Sequence, residues 1–374
     1  MAPLHPLIAA LALVGLGGVV FGVYDRAPWL IPWILLISAA GMAVRALMVL
    51  GEERAYRGDG RVDHDALRAM DFARYADWLK ENVRGHDRVV DVVVQTIQRG
   101  LKLTQTGRSP ASFLLVGPTG TGKTFLALMT AKALWPEKEP VVLRMNQLKN
   151  PGDVALLLGT SGQSGPEAEG TLTRAIAEDP HRVILLDEID KCHPEVLHCL
   201  FDALDGGKGR DKSSGRTVDF SGCVFFATCN AGVESLRALA GSDAGAYVAK
   251  ARDALSRDAG FDKSFLARFT EILLMDELPP RHIAEIACLL IGKQWREQGV
   301  EVRYLSPEFL AAAVKANEEF RSYGVRQLAH CMRRMTDGLL DDARRRGLTS
   351  AAIGVDARGA VRLEDQTARA AADR

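Results

Sequence analysis

The first fifty residues are almost continuously apolar, whereas charged positions are spread through the rest of the chain. Two apolar segments, at about residues 7–24 and 29–50, flank a short polar break at 25–28. Each is close to the roughly 20 residues that a helix needs to cross the hydrocarbon core of a bilayer. The pattern therefore predicts a transmembrane hairpin over residues 1–50, in contact with membrane lipid. A buried core hairpin is the alternative interpretation.

A secretory signal peptide fits less well, because the first segment lacks a basic leader and the second would still anchor the chain. The positions of the arginines suggest how the hairpin is oriented across the membrane. Arg45, Arg54, Arg57 and Arg61 lie at or beyond the end of the second segment, against Arg26 alone in the break. Because basic residues favour the cytoplasmic side, we expect a multi-pass protein of the inner (cytoplasmic) membrane, with the rest of the chain in the cytoplasm.

Beyond residue 50 the pattern predicts a linker and then a globular region of mixed strands and helices. Residues 51–75 begin as a polar, glycine-containing segment and enter an amphipathic helix, predicted over 66–83. Short apolar runs predict buried strands at 113–116, 182–186 and 223–228. The elements predicted further on are a helix over 280–298, a helix start at Ser306-Pro307, and short strands at 302–305 and 352–363.

The composition is ordinary for a globular protein, with 47% hydrophobic and 25% charged residues, and the formal net charge is +0. No global field draws the chain to nucleic acid, which is not expected as a partner. The six cysteines form no C-x-x-C pair and show no metal-ligand spacing with histidine. They are most simply interpreted as reduced, mostly buried thiols.

The strand predicted at 113–116 leads directly into a glycine-rich phosphate loop. This loop comprises Gly117, Pro118, Thr119, Gly120, Thr121, Gly122, Lys123 and Thr124. Its glycines let successive backbone N–H groups turn towards the phosphates of a nucleotide, aided by the N-terminus of the following helix. Lys123 supplies charge to the β- and γ-phosphates, and Thr124 offers a hydroxyl to Mg²⁺. The strand–loop–helix context predicts a site for ATP and Mg²⁺.

Polar residues also follow the other two predicted strands. Asp187 and Glu188 come directly after 182–186, and Asn230 follows 223–228. In ATP hydrolysis, Asp187 would hold Mg²⁺ through its water shell, and Glu188 would act as the general base on the attacking water. Asn230 would orient that water, although in isolation it would be interpreted as a turn former. The crevice at the carboxyl ends of the strands is therefore the predicted catalytic site.

Together, these strand ends resemble those of the AAA+ ATPases, and more closely the second ATPase module of the Clp/Hsp100 unfoldases of the ClpA/ClpB type. The most specific stretches are residues 183–196 (VILLDEIDKCHPEV) and 215–220 (GRTVDF). The resemblance covers about residues 75–363. It implies an α/β fold, with a parallel P-loop sheet flanked by helices and a small, mostly helical lid. It also implies a single ATPase module, a homo-oligomer (a hexamer) and protein clients.

The resemblance assigns roles to individual residues. Asn230 corresponds to the first sensor, and Arg268 corresponds to an arginine that completes the site of the neighbouring subunit. Arg326 corresponds to the second sensor, which contacts the nucleotide from the lid. Val83 and Arg84 lie in the segment that borders the adenine.

Three segments differ from the family or remain open. The family drives an aromatic residue into the central pore, whereas the corresponding loop here has Gln163 at that position. This pore loop contains Gly162, Gln163, Ser164 and Gly165. A glutamine has much less apolar surface for gripping an extended polypeptide. Residues 208–214 are interpreted either as a second, polar pore loop or as a solvated surface loop. In the segment that borders the adenine, His86 replaces the glutamine of the family.

The expected domains are a hairpin at 1–50, a linker at 51–75, a large AAA+ domain at 76–278, a helical lid at 279–364 and a disordered tail at 365–374. The predicted function is that of a membrane-anchored ATPase that remodels or unfolds proteins at the membrane as a chaperone-like ring. The alternative is an ATP-driven assembly switch, similar to the torsin branch, that controls a membrane complex without threading a polypeptide. A nucleic-acid motor or loader is the least favoured hypothesis.

Overall fold

The computed structural model describes residues 71–103, 108–161, 168–239, 241, 244–319, 324–356 and 359–364. The predicted hairpin, the pore loop at 162–165 and the predicted tail lie outside these residues. Among the described helices, none has both the length and the apolar character that a membrane span requires. The described residues fall into two compact units, of which the smaller comprises residues 155–180 and 210–218.

Helices and strands alternate through most of the described residues. The helices are α1 (Phe72–Asn82), α2 (Asp87–Leu103), α3 (Lys123–Leu134), α4 (Val154–Leu158), α5 (Thr171–Glu178), α6 (Pro194–His198), α7 (Phe201–Gly206), α8 (Val233–Arg237), α9 (Ala244–Asp258), α10 (Lys263–Leu266), α11 (Pro280–Glu297), α12 (Pro307–Glu319) and α13 (Gly324–Arg345). The strands are β1 (Ala111–Val116), β2 (Val141–Arg144), β3 (Val183–Asp187), β4 (Lys208–Arg210), β5 (Thr217–Asp219), β6 (Val224–Cys229), β7 (Glu271–Leu274), β8 (Glu301–Leu305), β9 (Ser350–Val355) and β10 (Val361–Glu364).

The central sheet consists of five parallel strands in the order β2-β3-β6-β1-β7. Strands β1, β3 and β6 are buried along nearly their whole length, which explains why their sequences are continuous apolar runs. The three buried strands predicted from the sequence are confirmed, with boundaries shifted by one or two residues. Because β1, β6 and β3 are neighbours, their carboxyl ends meet at one edge of the sheet.

A hydrophobic core lies between this sheet and helices α1, α2 and α3. Phe113 and Phe226 stack across neighbouring strands with ring centroids 4.8 Å apart, and Leu79, Ile97 and Leu126 from the helices pack in the same cluster. The described part of the predicted amphipathic helix is α1. Its first turn is capped by the carboxylate of Asp71, which accepts N–H bonds from the helix start.

The lid has a core of its own, formed by α11, α12, α13 and the sheet β8–β10. Trp295 and Phe309 are fully buried within it. The predicted helix start at Ser306-Pro307 is confirmed, because the Ser306 hydroxyl accepts the N–H of Phe309. The short strands predicted at 352–363 are confirmed. Two strands, β9 and β10, pair antiparallel there, and between them the Asp356 carboxylate accepts the N–H of Ala360.

The smaller unit is organised around the buried carboxylate of Asp211. Its Oδ1 accepts the N–H and the hydroxyl of both Ser213 and Ser214, and its Oδ2 accepts the hydroxyl of Thr173. Burial opposes ionisation of Asp211, but these hydrogen bonds together outweigh it and lower its pKa to about 2. The acidic side chain of the 208–214 segment is therefore turned inward rather than solvated.

Replacing Asp211 with asparagine is expected to lower the local free energy of opening by about 1–3 kcal/mol, because charge-assisted hydrogen bonds are lost. Amide hydrogen exchange at Ser213 and Ser214 measures this. A carboxylate with a depressed pKa stabilises fully above the ordinary value near 4 and loses that effect as pH falls through its folded value, about 2. The difference between wild type and variant should shrink across that range. The exposed Asp219→Asn change is the control, and unchanged exchange in Asp211→Asn would contradict the assignment.

Candidate active site

The phosphate loop joins β1 to α3, and two of its glycines are required by geometry. Gly122 has φ 97°, in the left-handed region that a side chain disfavours. A Cβ on Gly117 would lie 2.1 Å from the carbonyl oxygen of Met275. Helix α3 begins at Lys123. The loop therefore has the glycine-dependent conformation, at a helix N-terminus, that favours phosphate binding.

Lys123 is a buried cation surrounded by uncharged acceptors. Its Nζ donates to the carbonyl oxygens of Gly117 and Pro118, at 2.7 and 2.8 Å, and to Oδ1 of Asn230 at 2.9 Å. Burial lowers the pKa of Lys123 to about 8. The nearby carboxylates of Asp187, Glu188 and Asp190 oppose this effect without forming an ion pair with Lys123 in the described part of the chain. Lys123 at a helix N-terminus in a glycine-rich loop fits the phosphates of a nucleotide. The structure thus brings together Lys123 and Asn230, two predicted site residues.

The two predicted magnesium ligands also lie together. Thr124 Oγ1 donates to Oδ1 of Asp187 at 2.8 Å, and Thr228 Oγ1 donates to the same oxygen at 2.8 Å. The described residues contain no cluster of three or more His, Cys, Asp or Glu that would hold a metal unaided. Mg²⁺ usually retains waters and takes one or two carboxylates together with substrate phosphates. A hydroxyl–carboxylate pair beside the phosphate loop fits that donor set.

Glu188 is held in an unusual conformation immediately after β3. It is the only described residue other than glycine with a positive φ, at 59°. Such backbone strain costs on the order of 1–3 kcal/mol and persists where neighbouring contacts enforce it. Its N–H donates to Thr228 Oγ1 at 2.8 Å, its Oε2 accepts from Asn146 Nδ2 at 2.7 Å, and its Oε1 lies 3.1 Å from Lys191 Nζ. The carboxylate is therefore fixed at both oxygens.

The sequence did not predict the supporting roles of Asn146 and Thr228. Asn146 lies in a 3₁₀ turn, Met145–Gln147, directly after β2. Because β2 pairs with β3, this turn lies next to the strand end that carries Glu188. The available signal was that Asn146 follows the apolar run of β2. To assign Asn146 to the site from this signal, one must also know that β2 lies next to β3. Thr228 lies inside β6, where it would be interpreted only as a strand former.

The segment predicted to border the adenine lies beside the phosphate loop. Val83 is buried at the C-terminal end of α1. Nε2 of the buried His86 lies 2.9 Å from the carbonyl oxygen of Thr121. Burial lowers the pKa of His86, which favours the neutral ring. Arg84 is half-buried, and its Nε has no hydrogen-bond partner among the described residues.

The structure describes the side chain of only one of the two arginines predicted to act on the nucleotide. Arg268 follows α10, where its guanidinium donates to the carbonyl oxygen of Ser264 and lies over the ring of Phe201. Arg326 belongs to the first turn of α13, and its side chain is outside the described part. All six cysteines are free, as predicted, but only Cys223 and Cys229 are buried.

Thr228→Val is expected to lower the kcat for ATP hydrolysis, or the apparent Mg²⁺ affinity, by about 10- to 100-fold. Valine keeps the shape of threonine but removes the donor to Asp187 and the acceptor for the Glu188 N–H. Steady-state ATPase assays over a Mg²⁺ titration measure both quantities. Thr336→Val is the matched control, because the buried Thr336 hydroxyl bonds only the backbone of its own helix. Equal effects of the two changes would contradict this role for Thr228.

A parallel sheet with a phosphate loop after one strand and paired carboxylates after another defines a P-loop ATPase. Comparisons with known proteins narrow the class of ATPase to which this chain is similar. Residues 108–272 match the family model described as "AAA domain (Cdc48 subfamily)". The chain is 36% identical to the chaperone protein ClpB of Nitratidesulfovibrio vulgaris over 251 residues, which cover 64% of this chain and 29% of that protein.

Two further relatives extend the comparison. The chain is 32% identical to ClpE, the ATP-binding subunit of an ATP-dependent Clp protease of Bacillus subtilis, over 71% of this chain and 39% of that one. The fold is also similar to Hsp104 of S. cerevisiae in a complex with casein, with a TM-score of 0.69 and 23% identity, covering 82% of this chain and 55% of the other. The chain spans only about a third of the length of the ClpB and ClpE relatives. These similarities indicate an ATP-hydrolysing AAA+ domain, similar to those of the ClpB and ClpE proteins.

Proposed function

We propose that this protein is a membrane-anchored AAA+ ATPase that assembles into a hexameric ring and uses ATP hydrolysis to remodel or unfold proteins at the membrane. The observation that carries the proposal is the division of the predicted site. At one sheet edge, Lys123 donates to Asn230, and the hydroxyls of Thr124 and Thr228 donate to Asp187. Arg268 makes its contacts with Phe201 and Ser264 instead. A site of this kind is complete only when a second copy supplies its arginine.

Within one copy, each side chain has a distinct task. Lys123 would hold the β- and γ-phosphates, and Thr124 and Asp187 would hold Mg²⁺, which neutralises charge on the phosphates when bound. The Glu188 carboxylate would take the proton of the attacking water. Its fixed orientation reduces the reorganisation needed at that step, since both oxygens already have partners. Asn230 would help to orient the water from the strand next to β3.

A neighbouring copy would then contribute Arg268, whose guanidinium would stabilise the charge that develops in the transition state. Such contacts between unlike faces of identical chains close into a ring when the rotation between copies allows it. Arg326 would act on the nucleotide from the lid of the same copy. The similarity to ClpB, and to Hsp104 solved with casein, supports polypeptide clients.

The membrane part of the proposal rests on the two apolar segments of the sequence, residues 7–24 and 29–50. We expect the full chain to remain in the membrane pellet after alkaline carbonate extraction. A chain without residues 1–50 should move to the soluble fraction. Release of the full chain by carbonate would contradict the anchor.

The client activity is tested with a tagged fluorescent protein as substrate for the purified ring. Unfolding that requires ATP hydrolysis is the expected result. Gln163 favours the second candidate, an assembly switch, because it lacks the apolar surface of the usual aromatic residue. Vigorous ATPase activity without unfolding would support the switch and contradict threading.

A further inference from the structure

The Arg268 side chain rests on an aromatic ring rather than on an acid. Its Cζ lies 3.9 Å from the ring centroid of Phe201. One guanidinium nitrogen, Nη1, donates to the Ser264 carbonyl oxygen. Nε is buried and has no hydrogen-bond partner among the described residues. The guanidinium is therefore positioned with most of its donors uncommitted.

The backbone beneath this side chain is fixed by hydrogen bonds. The Arg268 carbonyl oxygen accepts the Ser112 hydroxyl at 2.8 Å, and the Thr270 N–H donates to the Ser112 carbonyl oxygen at 2.8 Å. Arg252 donates to the carbonyl oxygens of Leu266 and Phe269, at 3.2 and 2.8 Å. Because the backbone is held in this way, a change in the position of the guanidinium would come from the side-chain torsions of Arg268. The Phe201 ring restricts those torsions.

The Phe201 ring is itself held in place by other rings. It stacks against the fully buried Phe265 with centroids 5.8 Å apart and planes at 18°, and it contacts the His198 ring edge-on at 4.9 Å. Phe265 in turn packs against Phe261 and Phe269. The half-buried Phe201 ring is thus packed within a cluster of aromatic rings.

An aromatic face and a carboxylate position an arginine with different consequences. A carboxylate would neutralise the guanidinium and occupy two of its donors, whereas a ring face attracts the cation through its quadrupole and leaves the donors at the edge available. Hydrogen bonds from Ser264 lower the pKa of Asp262, the acid closest in sequence, and the charge of Arg268 adds to that effect. No ion pair joins the two side chains among the described residues, because Asp262 Oδ1 accepts the Ser264 N–H and Oδ2 lies 3.8 Å from His198 Nε2. The guanidinium donors of Arg268 therefore remain available for an anionic partner.

We propose that Phe201 is a positioning residue for Arg268: its ring orients the guanidinium towards the phosphates of a nucleotide bound to an adjoining copy. This inference rests on the proposed function, in which Arg268 acts between copies. It adds a residue to that site that no strand-end motif contains.

The test uses the full chain with Phe201→Leu, which keeps a bulky apolar side chain but removes the ring face. We expect the kcat for ATP to fall about three- to tenfold, with KM for ATP within about twofold. Phe201→Tyr, which keeps the face, should retain wild-type kcat. Trifluorophenylalanine at position 201, which has nearly the shape of phenylalanine but a weaker quadrupole, should reproduce part of the loss. Wild-type turnover with trifluorophenylalanine would overturn the proposal.

Phe261→Leu is the matched control, because Phe261 lies in the same aromatic cluster and packs on Phe265 rather than on Arg268. It should leave kcat unchanged. A loss equal to that of Phe201→Leu would mean that the cluster acts only through stability and would overturn the proposal. The ¹⁹F resonance of 4-fluorophenylalanine at position 201 should also move in the Arg268→Ala variant, independently of activity. An unmoved resonance would show that the two side chains are not in contact.

A double-mutant comparison separates this inference from the proposed function. In an Arg268→Ala background, Phe201→Leu should have no further effect on kcat, because the ring has lost the group it positions. A further loss of the same size would overturn the positioning role. If Arg268→Ala alone leaves kcat unchanged, the inter-copy role of Arg268 fails instead.

Discussion

Glu188→Gln is expected to lower the kcat for ATP hydrolysis by about 10²- to 10⁴-fold while ATP binding is retained. Glutamine has nearly the shape of glutamate, but its amide cannot accept a proton from the attacking water. The Lys123 ammonium and the phosphate loop are unchanged, so the affinity for the phosphates should persist. Steady-state turnover measures the first effect, and titration with a fluorescent ATP analogue measures the second.

The matched control for this change is Glu195→Gln, at an exposed acidic residue in the first turn of α6. It should leave turnover within about twofold, as expected of a surface substitution. Wild-type turnover in Glu188→Gln would remove this residue from the role of general base. Loss of binding together with turnover would instead indicate that Glu188 supports the architecture of the site.

Arg268→Ala is expected to lower kcat by about 10³-fold or more, the scale on which arginines that complete phosphoryl-transfer sites act. The affinity of each copy for ATP should change little, because Arg268 contacts none of the residues that surround Lys123 in its own copy. Arg268→Lys should restore little activity, since an ammonium lacks the planar fork of donors. Turnover and ATP affinity, measured side by side, check both parts.

Arg303→Ala provides the control, because Arg303 is an exposed lid arginine that pairs only with Glu301 among the described residues. An unaffected rate in Arg268→Ala would contradict the inter-copy role. A loss of ATP affinity as large as the loss of rate would also contradict it. That result would show that Arg268 binds the nucleotide of its own copy.

The parts of the site that the sequence predicts share one physical basis. The phosphate loop, Asp187 and Asn230 all follow apolar runs, and in a parallel sheet the carboxyl ends of such strands face the same crevice. The position of each residue at a strand end is then enough to predict it as a site residue, and the order β3-β6-β1 brings Lys123 to Asn230 and Thr124 to Asp187. Each of these residues can be found without knowledge of the complete fold.

Other parts depend on which strands are neighbours, which the sequence alone does not determine. Asn146 holds Glu188 only because β2 lies beside β3, and Thr228 reaches Asp187 only because β6 lies on the other side of it. The left-handed conformation of Glu188 also results from tertiary contacts rather than from local preference. Such residues have no periodic signal.

Polar segments are difficult to predict for a further reason. Residues 208–214 have the composition of a solvated loop, yet Asp211 is buried because hydroxyl and N–H donors from Thr173, Ser213 and Ser214 satisfy its carboxylate. The pattern of hydrophobic residues does not predict the burial of a polar group whose hydrogen bonds are satisfied inside the protein. The cation–π contact of Arg268 with Phe201 is similar, since it joins a residue of α7 to one that follows α10 without a sequence motif.

The central claim is that each ATP site is shared between adjoining copies, and mixing two inactive variants tests it directly. Glu188→Gln chains keep an Arg268 to donate, and Arg268→Ala chains keep an intact Glu188. When the two variants are mixed in equal amounts, some neighbouring pairs should form an active site. In such a pair, the Arg268→Ala chain supplies Glu188 and the bound ATP, and the adjoining Glu188→Gln chain supplies Arg268. About a quarter of all sites in random rings meet this condition, so we expect about a quarter of wild-type turnover. Mixed rings, verified by co-purification of two tags, that are as inactive as either parent would contradict a shared site.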